Sequence, residues 1–200
     1  MDENKALEEL KFIKKVIDES KRTIIDNGMG YIVWGILIVI GLLSTYLSIV
    51  NKSYFAYGYN WFVVIGIGWL YSFFEVRREK KVLPVVTFSA RIVGAVWFAT
   101  GIVMTILGFV PTLTGAIHGV YVSPLMAVIL GIPFYLTGVL YGIRFIKYLS
   151  IGWWAGGIIM FIYPGMYSLV LMAGMIIFFQ VFPGIFLYRK FKNEKLLAND

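Results

Sequence analysis

Charged residues cut this chain into long apolar runs. Asn27 to Asn51 carries no Asp, Glu, Lys or Arg over 25 residues, Ser53 to Phe74 none over 22, Ile92 to Ile143 none over 52 and Tyr148 to Tyr188 none over 41. A bilayer core of roughly 30 Å is crossed by about 20 apolar residues rising ~1.5 Å each. The first two runs therefore predict one membrane span each, and the last two predict two each. The expected spans are 29–50, 59–76, 91–110, 121–143, 148–163 and 166–188. The fold class is all-α membrane protein with six transmembrane helices over 28–190, behind an N-terminal amphipathic helix at 1–27 and ahead of a polar tail at 191–200. Pro111, Gly115 and Gly119 are expected to separate spans three and four, and Tyr163-Pro164-Gly165 to turn tightly between five and six. Span five is short, so it either starts earlier, near Phe145, or sits where the bilayer thins. Runs of this length exclude a β-barrel, whose segments alternate over about 10 residues.

Composition agrees. Of 200 residues, 60% are apolar and 14% charged, and the mean hydropathy is +0.81; soluble domains are about half apolar and a quarter charged. Cysteine is absent, which removes disulfides, thiolate nucleophiles and cysteine-held metals. His118 is the single histidine, so no histidine cluster for a metal forms within one chain. No short apolar stretch with a small-residue cleavage site opens the chain, and span one is expected to serve as its own insertion signal.

The net charge of +7 reads as topology rather than as affinity for nucleic acid. Lys and Arg are retained on the cytoplasmic side of short loops. With both termini in the cytoplasm, Lys52 alone of 18 basic residues lies outside. The opposite orientation would strand the other 17 outside. A bacterial inner membrane with both termini inside is the expected location, and no nucleic-acid partner is needed. Tyr54, Tyr57, Tyr59, Trp61 and Tyr121 are expected in the outer interfacial belt, and Tyr31, Tyr71, Tyr141, Tyr148 and Tyr188 in the inner one.

Even-numbered spans end alike: Gly68-Trp69-Leu70-Tyr71, Gly138-Val139-Leu140-Tyr141 and Gly184-Ile185-Phe186-Leu187-Tyr188, each followed by arginine. Odd-numbered spans carry Trp34, Trp97 and Trp154 near small residues. The pattern suggests three related helical hairpins. Gly152 and Gly156 have the small-xxx-small spacing of close helix packing, read mainly as contact within the chain and secondarily as a dimer face. Gly101-Ile-Val-Met-Thr-Ile-Leu-Gly108-Phe-Val-Pro111 and Gly156-Gly-Ile-Ile-Met-Phe-Ile-Tyr-Pro164-Gly165, with the segment from Gly174 to Gly184, resemble the HdeD-like (acid-resistance) membrane proteins. That resemblance implies six helices in three hairpins and a role in stress tolerance without known catalysis. Leu7 to Ile13 leading into Gly30-Tyr31-Ile32-Val33-Trp34-Gly35 is similar to uncharacterised bacterial multi-pass membrane proteins encoded beside winged-helix regulators.

Candidate chemistry is sparse. Ionisable residues held inside a membrane mark ion and proton pathways, and no span centre has one. Glu75 falls at the cytoplasmic end of span two near Arg77 and Arg78 and reads as an interfacial residue. Ser44, Thr45, Thr100, Thr105 and Thr137 can each bond the preceding helical turn and so need no partner. Gln180 is different: an amide deep in span six is costly without a partner. It is expected to face the bundle, as glue between helices or as a pore contact. Pro133, mid-span in four, removes a donor and crowds the Ile129 carbonyl, predicting a kink, and Pro183 does the same in six. No nucleophile–base pair, phosphate loop or metal spacing is present. The reading is not an enzyme, with no cofactor.

Residues 5–26 form the soluble element. Ala6, Leu10, Ile13, Ile17, Ser20 and Ile24 recur at spacings of four and three, an apolar seam. Six basic and seven acidic residues stand in the first 26 positions, whereas a helix lying on anionic lipid is basic. The seam of Leu10, Ile13, Ile17 and Ile24 is therefore expected to contact protein, either another copy or a cytosolic partner. Two functions follow: an interaction, regulatory or stress-response membrane protein assembled through this helix, or a channel or carrier for a neutral or weakly polar solute. A reporter fused after Asp200 and one inserted beside His118 should report opposite sides of the membrane, cytoplasm and exterior; matching signals would contradict the six-span topology.

Overall fold

The computed structural model describes residues 7–11, 14, 28–53, 56–82 and 88–197. Among them the elements are α1 (Met29–Val50), α2 (Ala56–Val82), α3 (Phe88–Leu113), a 3₁₀ turn (Gly119–Tyr121), α4 (Val122–Leu140), α5 (Arg144–Ile162), α6 (Tyr167–Ile176), a π-helical turn (Ile177–Val181) and α7 (Phe182–Leu197). Leu7 to Lys11 and Lys14 are also helical, and no strand occurs among the described residues. Helices α6 and α7 and the π turn follow one another without a break.

Among the described residues five segments are long and apolar enough to cross a membrane: Met29–Val50, Phe88–Leu113, Gly119–Leu140, Arg144–Ile162 and Tyr167–Arg189. Helix α2, the expected second span, is not among them. Its apolar run is diluted by Tyr59, Asn60, Trp61, Trp69, Tyr71 and Ser72 and closed by Glu75, Arg77 and Arg78. Helix α4 is central, with 56% of its apolar window buried, whereas α3 is peripheral at 6%.

Element ends differ from the sequence pattern where turn chemistry decides. α4 stops at Leu140, not 143, because Gly142 takes φ +67°. There the Ile143 N–H donates to the Gly138 carbonyl at 2.9 Å and the Gly142 N–H to Val139 at 3.2 Å, a Schellman ending that glycine favours. α5 then starts at Arg144, which resolves the short fifth span as an earlier start. Gly138 lies directly on the backbone of Lys147, where a Cβ would collide. Pro111 does not end α3. It sits inside the last turns, and the helix closes two residues later, before Gly115 at φ +73°.

The helices are joined by a recurring device. Trp61 lies on bare Gly41, and its indole N–H donates to Thr45 Oγ1 at 3.0 Å. Trp69 lies on Gly101 and donates to Thr105 at 3.2 Å. Trp34 lies on Gly68 and donates to Ser72 Oγ at 2.9 Å. In each case the hydroxyl stands one helical turn after the glycine, on the same face. Thr45 and Thr105 donate their own hydrogens back to the Gly41 and Gly101 carbonyls at 2.8 and 2.7 Å. A hydroxyl with its hydrogen so committed keeps lone pairs for an indole. Trp97 donates to Thr137 at 3.1 Å, with Pro133 in the glycine position. Trp154 lies on Gly131 and donates to the Val128 carbonyl at 3.2 Å. These bonds lace α1 to α2, α2 to α3, α3 to α4 and α5 to α4.

The tryptophan at each notch sets a test. In Gly131→Val the new side chain expels the Trp154 ring and breaks its bond, so stability should fall by about 1–3 kcal/mol, as overpacking does. Gly94→Ala, at a helical glycine with open space around it, should leave thermal unfolding in detergent unchanged or slightly improved. Equal melting shifts in the two variants would contradict the notch.

Candidate functional site

The candidate site is the interior around Gln180, the amide predicted deep within the sixth span. It is buried at 6% exposure in the π turn. Its Nε2 donates to the Tyr31 carbonyl of α1 at 3.2 Å. The π turn ends two residues before Pro183. Proline has no N–H and crowds the carbonyl four residues back, here Phe179, so a widened turn relieves the clash. The expected disturbance at Pro183 is thus a π turn that carries Gln180 against α1. Gly35 makes room on the α1 side: Val181, Ile176 and the Gln180 amide fill the space a Cβ would take.

Aromatic rings occupy the adjoining interior. Tyr31 meets Trp97 at 5.1 Å between centroids and Phe134 at 5.7 Å, both edge-on. Trp97 meets Phe134 at 5.4 Å, Phe134 meets Trp153 at 5.6 Å, and Trp153 meets Phe179 at 5.9 Å. All but the tilted Phe134–Trp153 pair are edge-to-face, an arrangement that adds about 0.5–1.5 kcal/mol per pair beyond burial. Five rings from α1, α3, α4, α5 and the π turn thus form one connected cluster. Tyr31 and Tyr141, expected in the inner belt, are buried here, while Tyr59, Tyr121, Tyr148 and Tyr188 are exposed as a belt requires. Trp61 also departs from the belt, since its indole is bonded to Thr45. The Trp153 indole nitrogen is fully buried with no hydrogen-bond partner among the described residues.

The predicted positions do not converge on one site. Pro133 is fully buried and α4 runs through it without interruption. Its neighbour Phe134 touches Tyr31, which links it to Gln180. Glu75 is half-buried at the charged end of α2. There the Arg77 guanidinium lies 4.0 Å above the Phe73 ring. Leu10 of the predicted seam is exposed, as is Leu7, whereas Ile13, Ile17 and Ile24 lie outside the described residues. Gly152 and Gly156 pack against Phe179 and Met175 of the same chain, which is the intramolecular use of that spacing. The three repeat-like glycines meet unlike partners: Gly68 a tryptophan ring, Gly138 the Lys147 backbone, and Gly184 the Ile32 and Tyr31 side chains with the Gly28 carbonyl. An open groove of about 540 Å³ runs along α1 past Ile40, Ser44, Leu47, Ser48 and Asn51, and it includes neither Gln180 nor Pro133.

Sequence reasoning missed the indole acceptors. Thr45, Thr105 and Thr137 look self-sufficient in sequence, yet each accepts a tryptophan from a neighbouring helix. The readable signal was glycine followed by Thr or Ser four residues on. No protein-family model, curated protein or solved structure matches the chain.

Gln180→Leu keeps the volume but deletes the bond to Tyr31. Hydrogen bonds between membrane helices average about 0.6 kcal/mol, so the variant should unfold at slightly lower temperature in detergent. An unchanged or raised melting temperature would remove Gln180 from the helix-joining role.

Proposed function

We propose that this chain is a non-catalytic, six-span protein of a bacterial inner membrane, with both termini cytoplasmic, assembled through its N-terminal helix with another copy or with a cytosolic protein. The observation that carries the choice over a carrier is the state of Gln180. Its side chain is buried, with the amide bonded to the Tyr31 backbone and seated at Gly35 with Val181 and Ile176, while rings fill the interior beside it. A solute path would need that amide facing water. The outward exposure of Leu7 and Leu10 supports the assembly half of the proposal, because an apolar stripe in the cytoplasm calls for a cover.

Support for α2 as the sixth span is its lacing. It is bonded to α1 at Asn60, Trp61 and Ser72 and to α3 at Trp69. From Asn60 to Ser72 the helix rises about 18 Å, more than half of a bilayer core, alongside helices apolar enough to cross. The three-hairpin arrangement and the stress-tolerance role of the HdeD-like proteins, which the segments ending at Pro111 and Pro164 resemble, belong to the same proposal.

The test is the full chain carrying Ile13→Asp and Ile17→Asp. Membrane insertion should persist, because the spans insert by their own hydrophobicity, while assembly size in mild detergent or partner capture from membranes falls to background. Unchanged assembly and partners would overturn the proposal. Selective loss of solute flux from liposomes in Gln180→Leu, at unchanged folded content, would instead establish the carrier.

A further inference from the structure

We infer that the α5 and α7 ends carrying Arg144 and Arg189 form a binding site for one anionic phospholipid, with its phosphate at the arginines and an acyl chain along a strip of phenylalanines. The Phe145 and Phe186 rings meet at 6.5 Å between centroids, so these helix ends lie side by side. Phe178, Phe182 and Phe186 recur at four-residue spacing, and the first two rings touch at 5.5 Å. All three rings and Phe145 are more than half exposed. The strip is about 12 Å long, close to the ~15 Å of one leaflet of hydrocarbon. Arg189 follows Phe186 by three residues, on the same helical face and one turn nearer the polar end.

Among the described residues the charge of the site is uncompensated. Arg144 opens α5, whose first turn contains no acidic side chain. A cation in that turn is opposed by the helix macrodipole, so an anion there relieves a repulsion as well as forming a pair. Neither Arg144 nor Arg189 has an ion pair among the described residues, and both are exposed. Lys147, the next cation of α5, is occupied over the Tyr148 ring at 5.3 Å. Arginine presents a planar fork of donors that matches phosphate oxygens. An unpaired fork beside a chain-length apolar strip selects a phosphate that carries a hydrocarbon tail. A zwitterionic lipid brings its own cation against the arginines, so the headgroup is anionic.

The experiment uses the full chain in detergent with added phosphatidylglycerol, phosphatidylcholine or inorganic phosphate. Retained lipid is counted by native mass spectrometry, and thermal stability is read in parallel. Phosphatidylglycerol should be retained as one molecule and raise the melting temperature; phosphatidylcholine and phosphate should do neither. Arg144→Gln with Arg189→Gln should abolish that retention, while Arg78→Gln with Arg91→Gln, which removes the same charge elsewhere, should keep it. Should the first pair fold poorly, Phe182→Ala with Phe186→Ala reads the strip alone and should weaken retention at least several-fold. Equal loss in both arginine pairs, equal retention of the two lipids, an equal effect of phosphate, or a second copy of the chain in place of lipid would each overturn the inference.

Discussion

An indole N–H in hydrocarbon has no water to bond, and five of the six tryptophans, all but the buried Trp153, are seated so that this constraint is met. Leaving such a group unpaired costs a few kcal/mol, and a tryptophan ring is too wide to enter an ordinary helix interface. Glycine solves the width and a hydroxyl one turn later solves the bond. Trp34, Trp61 and Trp69 each use both. The device fixes depth and rotation together, because ring and donor must reach two points four residues apart. It also explains how α2, which is less apolar than the five candidate spans, is held firmly: it supplies two of the tryptophans and one of the notches.

The interior follows from the same constraint. Once Trp97 is anchored on Thr137, its ring faces Tyr31 and Phe134, and the cluster extends through Trp153 to the π turn. The π turn in front of Pro183 brings Gln180 onto the Tyr31 carbonyl. Proline, glutamine and glycine, residues that suggest a conducting path when read singly, here complete the packing between α1 and the last helix.

Much of the architecture was legible in the sequence. Gaps between charges located the five helices that are long and apolar enough to cross a membrane, because burying a charge in lipid is costly. Helix α2 falls short of a span's apolarity for the reason that makes it useful: the polar atoms of Asn60, Trp61, Trp69 and Ser72 lower its hydropathy and are the groups that bond its neighbours. The ends of α4 and α5 were displaced because Gly142 permits a tighter reversal than charge positions reveal. Gln180 was identified by type, but its partner was not, since a backbone carbonyl 149 residues away leaves no mark in the sequence. The threonine acceptors were hidden by their own back-bonds, which made them look complete.

The central claim is that the interior is dry and closed by its own side chains. The absence of cysteine makes a direct measurement possible. Ser150 is fully buried on α5, its hydroxyl donating to the Lys147 carbonyl at 2.6 Å, and Ser53 is exposed after α1. Single cysteines at these positions, challenged in native membranes with a small water-soluble thiol reagent, report water at each. The account predicts rapid modification at position 53 and none at position 150 until the protein is denatured. Modification at 150 in the folded protein would show a water path through the bundle and contradict the account.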